Sequence, residues 1–177
     1  MIVVMILPYP RDAGEMNADA FRHLYEYHFT INRKIWDRCI VPLSDEQFLQ
    51  PTTYSVGSVR NHVVHMLNID DRWFSGLRGV EIPGFLNVVY FRKRDKIRGM
   101  WDAVEGTMRE YLATLRDDML DDQPFMPIDG DPILLWQVLI HVITHGADHR
   151  AQLLALLNQL GVKTFPQDYA DFIEGRM

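Results

Sequence analysis

Residues 140–157 read "IHVITHGADHRAQLLALL", an apolar run without proline that carries His141, His145 and His149 at intervals of four. Seven histidines are spread over 177 residues, and three of them fall within this stretch. An interval of four is close to one turn of an α-helix, so the run reads as the middle of a long helix with its imidazoles stacked along one side. The helix is expected to start at Pro132, behind Asp131 as a cap, and to end at Leu160 before the C′ glycine Gly161. At roughly 100° per residue, His145 and His149 fall near the direction shared by Val138 and Leu156. They are therefore expected at the centre of the core stripe, with His141 at its edge about 60° away.

Working outward, three further long segments read as helices. The first runs from the N-cap Asn17 to about Ile40, with Phe21, Leu24, Tyr25, Phe29, Ile31, Ile35, Trp36 and Cys39 as its apolar set. The second runs from about Ser58 to Leu77 and stops in "RGVEIPG". The third covers roughly Asp95 to Leu115, where apolar residues recur in alternating steps of four and three. The acidic, proline-bearing stretch "DDMLDDQPFMPIDGDP" (117–132) reads as a loop. No strand-like alternation and no internal repeat interrupts the pattern. The expectation is an all-α four-helix bundle forming one domain over 1–177, with an extended N-terminal segment (1–16) and a tail (162–177) of one or two helical turns.

Composition narrows the function classes. The chain is 47% hydrophobic and 24% charged, within the range of ordinary globular domains. Its net charge of −6, with no basic run longer than "FRKRDKIR" (91–98), argues against a nucleic-acid partner. The single Cys39 excludes an internal disulfide framework and fits a reducing compartment; on the first helix's apolar face it reads as an inert thiol. "MIVVMILPYP" lacks a basic flank and a small-residue cleavage site, and no segment reaches membrane-spanning length, so a cytoplasmic location without a membrane partner is expected. The four tryptophans fall one per helix and read as core or pocket wall.

Two imidazoles one turn apart inside a bundle must each find polar partners. Satisfied core histidines are the bland explanation; a shared metal ion is the sharper one, since neutral imidazole is a common ligand. A third ligand must then come from elsewhere. The remaining pair one turn apart, His62 and His65, sits in "SVRNHVVHMLNIDDRWF" (58–74), where the angular pattern leans slightly towards His62 as the inward residue.

These two segments together resemble the DinB/YfiT-like superfamily of metal-dependent enzymes, a family distinct from the translesion polymerase of similar name. The matching residues are Ser58, His65, Asp70, Asp71 and Trp73 in the second helix and "HGADHRAQ" (145–152) in the fourth. The similarity extends to "PLSDEQ" (42–47) and "LNQLGV" (157–162). Ala151, where the family often has glycine, and Asp148, where bulkier residues are common, depart from the pattern. The resemblance implies an up-down-down-up bundle with a long crossover. It also implies a divalent metal held by His65, His145 and His149, which favours His65 over His62.

Three neutral imidazoles leave an ion its full charge and an open position, with zinc the default and nickel, iron or manganese chemically admissible. No glutamate lies between the helix-four histidines, so the HExxH arrangement is absent. Asp70, Asp71 and Asp148, or the metal-bound hydroxide itself, are the candidate bases. The resemblance implies a hydrolase or a thiol-dependent transferase acting on a small molecule, with a low-molecular-weight thiol as a partner. The alternatives are a non-catalytic metal-binding or stress-related dimeric bundle protein, or an interaction module with core histidines. Residual apolar surface points to a homodimer. From the reference histidine pKa of about 6.5, metal loading is expected to fall below the middle sixes.

Overall fold

The computed structural model describes residues 16–124 and 133–176, and within them every regular element is helical. The elements are α1 (Ala18–Ile35), α2 (Asp45–Leu49), α3 (Val59–Leu77), α4 (Arg94–Thr114), α5 (Leu135–Gln159) and α6 (Tyr169–Ile173). Four long helices form the bundle: α1 and α3 each pack against both α4 and α5. The expected extended segment at the N-terminus, and the cap Asp131 with Pro132, lie outside the described residues.

Local chemistry sets the helix starts. Asn17 caps α1 by accepting from Ala20 N–H at 2.9 Å, and Ser58 caps α3 by accepting from Asn61 N–H at 3.2 Å. Gly79 and Gly161 follow the ends of α3 and α5 at φ of 68° and 82°, the left-handed conformation that closes a helix at low steric cost. The start of α5 differs from the sequence expectation. Leu134 is its cap residue, and Leu135 and Trp136 donate their N–H groups to the carbonyls of Asp122 (2.8 Å) and Leu120 (3.0 Å). The helix therefore spans 25 residues, about 38 Å. The end of α1 also differs, continuing as π-helical turns over Trp36–Ile40.

The core combines apolar packing with buried polar clamps. Phe21, Tyr25, Ile31, Phe48, Val138 and Leu157 are among the residues sealed from solvent. Glu105 on α4 is buried and accepts from Arg33 of α1 at 2.8 and 2.9 Å and from Arg109 at 2.7 Å. The second clamp is larger. Arg150 on α5 is fully buried, and its guanidinium donates to His28 Nδ1 (2.9 Å), Asn32 Oδ1 (3.3 Å) and Gln167 Oε1 (2.9 Å). His28 Nδ1 accepts there, and its Nε2 lies 3.0 Å from Asn32 Nδ2 and 3.3 Å from Asp70 Oδ2 of α3. One cluster thus ties α1, α3, α5 and the C-terminal segment together.

Gly146 makes room for this cluster. A Cβ there would lie 2.5 Å from His28 Cε1, a ring that cannot retreat because both its nitrogens are engaged. Gly146→Ala is therefore expected to destabilise the protein by about 1–3 kcal/mol through overpacking, outweighing the ~1 kcal/mol that alanine gains in helix propensity. Gly106, on α4 with open space around its Cα, should show the opposite sign, stabilising by up to about 1 kcal/mol as alanine. Urea denaturation of both variants checks the pair. Equal shifts would show that α5 does not approach α1 as closely as described.

Candidate metal centre

Three side chains from two helices meet in one place. His65 projects from the middle of α3, and His145 and His149 project from adjacent turns of α5, which packs beside it. His65 Nε2 lies 3.2 Å from His145 Nε2 and 3.2 Å from His149 Nε2. All three ligand atoms fall within 4.8 Å of one another. Two imidazoles bound to one tetrahedral ion at 2.0–2.1 Å place their nitrogens about 3.3 Å apart. The two separations from His65 match that value.

The electrostatics agree with the geometry. Burial lowers the pKa of all three rings, and the neighbouring imidazoles add to the effect for His65 and His145, which is pushed down to about 4. The rings are therefore neutral at pH 7, and each presents at most one proton to the cluster. One N–H shared among three nitrogens cannot satisfy all of them, whereas a cation accepts every lone pair. The donor set fits a divalent ion.

His62 and His65 divide the roles that their spacing left open. His62 is fully buried, and its Nδ1 donates to the Ser58 carbonyl at 3.1 Å. Its ring centroid is 6.5 Å from that of His149, outside the cluster, and its Nε2 has no partner among the described residues. His149 Nδ1 is likewise buried and unpaired among them. His65, only half buried, is the residue that reaches the α5 pair.

The wheel placement of α5 needs correction. His145 and His149 are half buried at the edge of the buried arc, and its centre is Gly146 and Arg150. Hydropathy places an arginine outside; here the polar cluster around His28 and Asp70 draws Arg150 in and rotates the histidines towards the side of the bundle. His141 is exposed and packs on Trp73 with ring centroids 4.9 Å apart.

The three candidate bases occupy different environments. Asp70 is buried against His28, and its charge acts favourably on protonated His65 and His145. Asp71 is half buried, accepts from the Ser75 hydroxyl at 3.4 Å, and has its carboxyl raised by burial. Asp148 is exposed and accepts from Gln152 Nε2 at 2.8 Å. Beside His65 lies a cavity of about 260 Å³ between α3, the 50–58 loop and the α3–α4 connector. Its apolar wall is Val56, Val64, Phe85, Leu86 and Val88, and none of the four tryptophans contributes. Trp36 and Trp101 are buried in the core, whereas Trp136 is 39% exposed and so neither core nor pocket wall. Sequence reading missed His28, Asn32 and Gln167 entirely. The only available signals were His28 and Asn32 at an interval of four, and the arginine in "HGADHRAQ".

A sequence model of the DinB family matches residues 16–176. The protein DinB of Bacillus subtilis (strain 168) is 25% identical over 166 residues, covering 89% of this chain and 95% of that relative. Among the described residues no helix is long and apolar enough to cross a membrane.

Alanine at His65, His145 or His149 is expected to abolish stoichiometric zinc binding with helicity retained, whereas His62→Ala keeps one equivalent. Elemental analysis with circular dichroism reads both, and zinc lost from His62→Ala but kept in His65→Ala would reverse the assignment. Protonation supplies a second expectation. Histidines whose folded pKa is depressed bind protons more readily when unfolded, so the metal-free protein is most stable above about pH 6.5 and loses stability as the pH falls towards 4. Proton competition at His145 correspondingly begins well below the middle sixes expected from the reference value. Urea midpoints that stay flat between pH 7 and 5 in the metal-free protein would contradict the depressed values.

Proposed function

The chain belongs to the DinB family, and we propose that it is a metal-dependent enzyme acting on a small molecule, with His65, His145 and His149 holding the ion. The observation that carries this reading is the convergence of the three Nε2 atoms beside the cavity that His65 itself lines. A divalent ion bound there supplies Lewis acidity and lowers the pKa of whatever occupies its open position. Zinc suits three imidazoles best, with nickel, iron and manganese as chemically admissible substitutes.

The protein's own residues favour thiol-dependent transfer over hydrolysis. Among the described residues no carboxylate lines the cavity: Asp70 is turned to His28, and Asp71 and Asp148 are held by Ser75 and Gln152. Hydrolysis asks for a deprotonated water, and without a carboxylate at hand that falls wholly to the ion, which must lower the pKa of bound water from about 15.7 to about 7. A thiol with a pKa near 8.5 ionises with far less help. His65, His145 and His149, kept neutral by burial, remain available as ligands at neutral pH, and the apolar wall excludes water from the other reactant.

The test uses the zinc-loaded protein, the chelated protein and His149→Ala with cysteine as the thiol and a panel of neutral aromatic electrophiles. Loss of free thiol should run at least tenfold faster with the loaded wild type than with either control. Equal rates throughout the panel, with zinc demonstrably bound, would favour a non-catalytic metal-binding role.

A further inference from the structure

The cavity beside His65 carries information about what enters it. Its polar wall consists of Asn61, Asn68 and His65, and among the described residues none that lines it is charged. Both carboxamides are already engaged. Asn61 donates to the Val56 carbonyl at 3.0 Å, and its oxygen accepts from Arg60 at 3.1 and 3.2 Å. Asn68 donates to the Gly84 carbonyl at 3.3 Å and accepts from Leu86 N–H at 3.2 Å, which fixes the connector over α3. The amides therefore build the wall and do not read the ligand. A charged guest would lose its hydration there without gaining a partner.

The connector extends this surface outward. Phe85 is 74% exposed at the cavity, yet its ring is held in place by the Arg72 guanidinium, 4.1 Å from the ring centroid. A cation–π contact of this kind favours one placement of an exposed ring without burying it. The result is an apolar lip beside a half-open apolar cavity, where His65, a member of the triad, is among the described residues the one polar lining group not engaged in building the wall. A cavity of about 150 Å³ holds benzene, so about 260 Å³ admits a substituted or bicyclic ring.

We propose that this cavity binds an uncharged, predominantly apolar small molecule, the acceptor in the transfer reaction, against Phe85 and Val88 with its reactive polar end turned to the histidine triad. The assignment of the guest as acceptor rests on the enzyme reading above; the cavity's preference for neutral apolar guests does not. An anionic thiol would consequently approach the triad from outside this chamber.

The experiment uses the zinc-loaded and the metal-free protein with two fluorescent probes of related shape. N-phenyl-1-naphthylamine is neutral, and 8-anilino-1-naphthalenesulfonate carries a sulfonate. The neutral probe should bind at one equivalent and at least tenfold more tightly than the anionic one. Val88→Asp, which places a charge in the chamber, and Phe85→Ala, which removes the lip, should each weaken it about tenfold or more with zinc content unchanged. Ile173→Asp, an exposed site on α6, should leave it unaltered and so reports any general surface adsorption. Equal affinity for the two probes, or wild-type affinity in both cavity variants, would overturn the proposal even if zinc binding and thiol transfer stand. Failure to bind zinc would instead remove the enzyme reading, while the probe measurements on the metal-free protein still decide the chemistry of the cavity.

Discussion

A buried guanidinium must be satisfied where it lies, and in this bundle the requirement falls on Arg150. Its partners come from α1 (His28, Asn32) and from the C-terminal segment (Gln167), and His28 passes the connection on to Asp70 of α3. Removing one member of such a cluster leaves an unpaired polar group in a dry interior, which is why α1, α3 and α5 are constrained relative to one another. Gly146 is the steric counterpart of that electrostatic demand, since only a residue without Cβ lets the two helices approach at His28.

The histidine triad inherits its geometry from this constraint. Arg150 follows His149 directly, so turning the arginine into the core turns His145 and His149 to the flank of α5, where they meet His65. Of the three histidines it is His65 that lines the cavity beneath the connector. Asp70 serves both regions. It faces His28 in the buried cluster and acts electrostatically on the triad, so a single carboxylate links the stability of the bundle to the charge state of its ligands.

The connector between α3 and α4 is the other element on which function turns. Its backbone is pinned by Asn68, and Arg72 holds Phe85 at the lip, so residues without regular structure still present a defined surface. Side chains that look like solvent-facing helix residues in "SVRNHVVHMLNIDDRWF" thus have tertiary tasks that their spacing does not announce. Polar residues on α3 and α5 account for most of the architecture around the site.

Local chemistry made much of this legible in the sequence alone. Caps at Asn17 and Ser58, the closing glycines 79 and 161, and the apolar repeats of each helix are near-neighbour effects, and they fixed the all-helical bundle and the limits of α3 to within a residue. The motif residues named the three histidines. Which direction those histidines face depended on contacts across the bundle. A wheel weighted by hydropathy pushes Arg150 outward, because it does not register that His28, Asn32 and Gln167, distant in sequence, offset part of the cost of burying it. For the same reason the choice between His62 and His65 was open on one helix and closed on two: both are near the apolar arc of α3, and only the position of α5 decides that His62 packs inside while His65 completes the triad. Periodicity reports the environment averaged along a helix, and a metal site is a crossing of helices, so its geometry belongs to the tertiary structure.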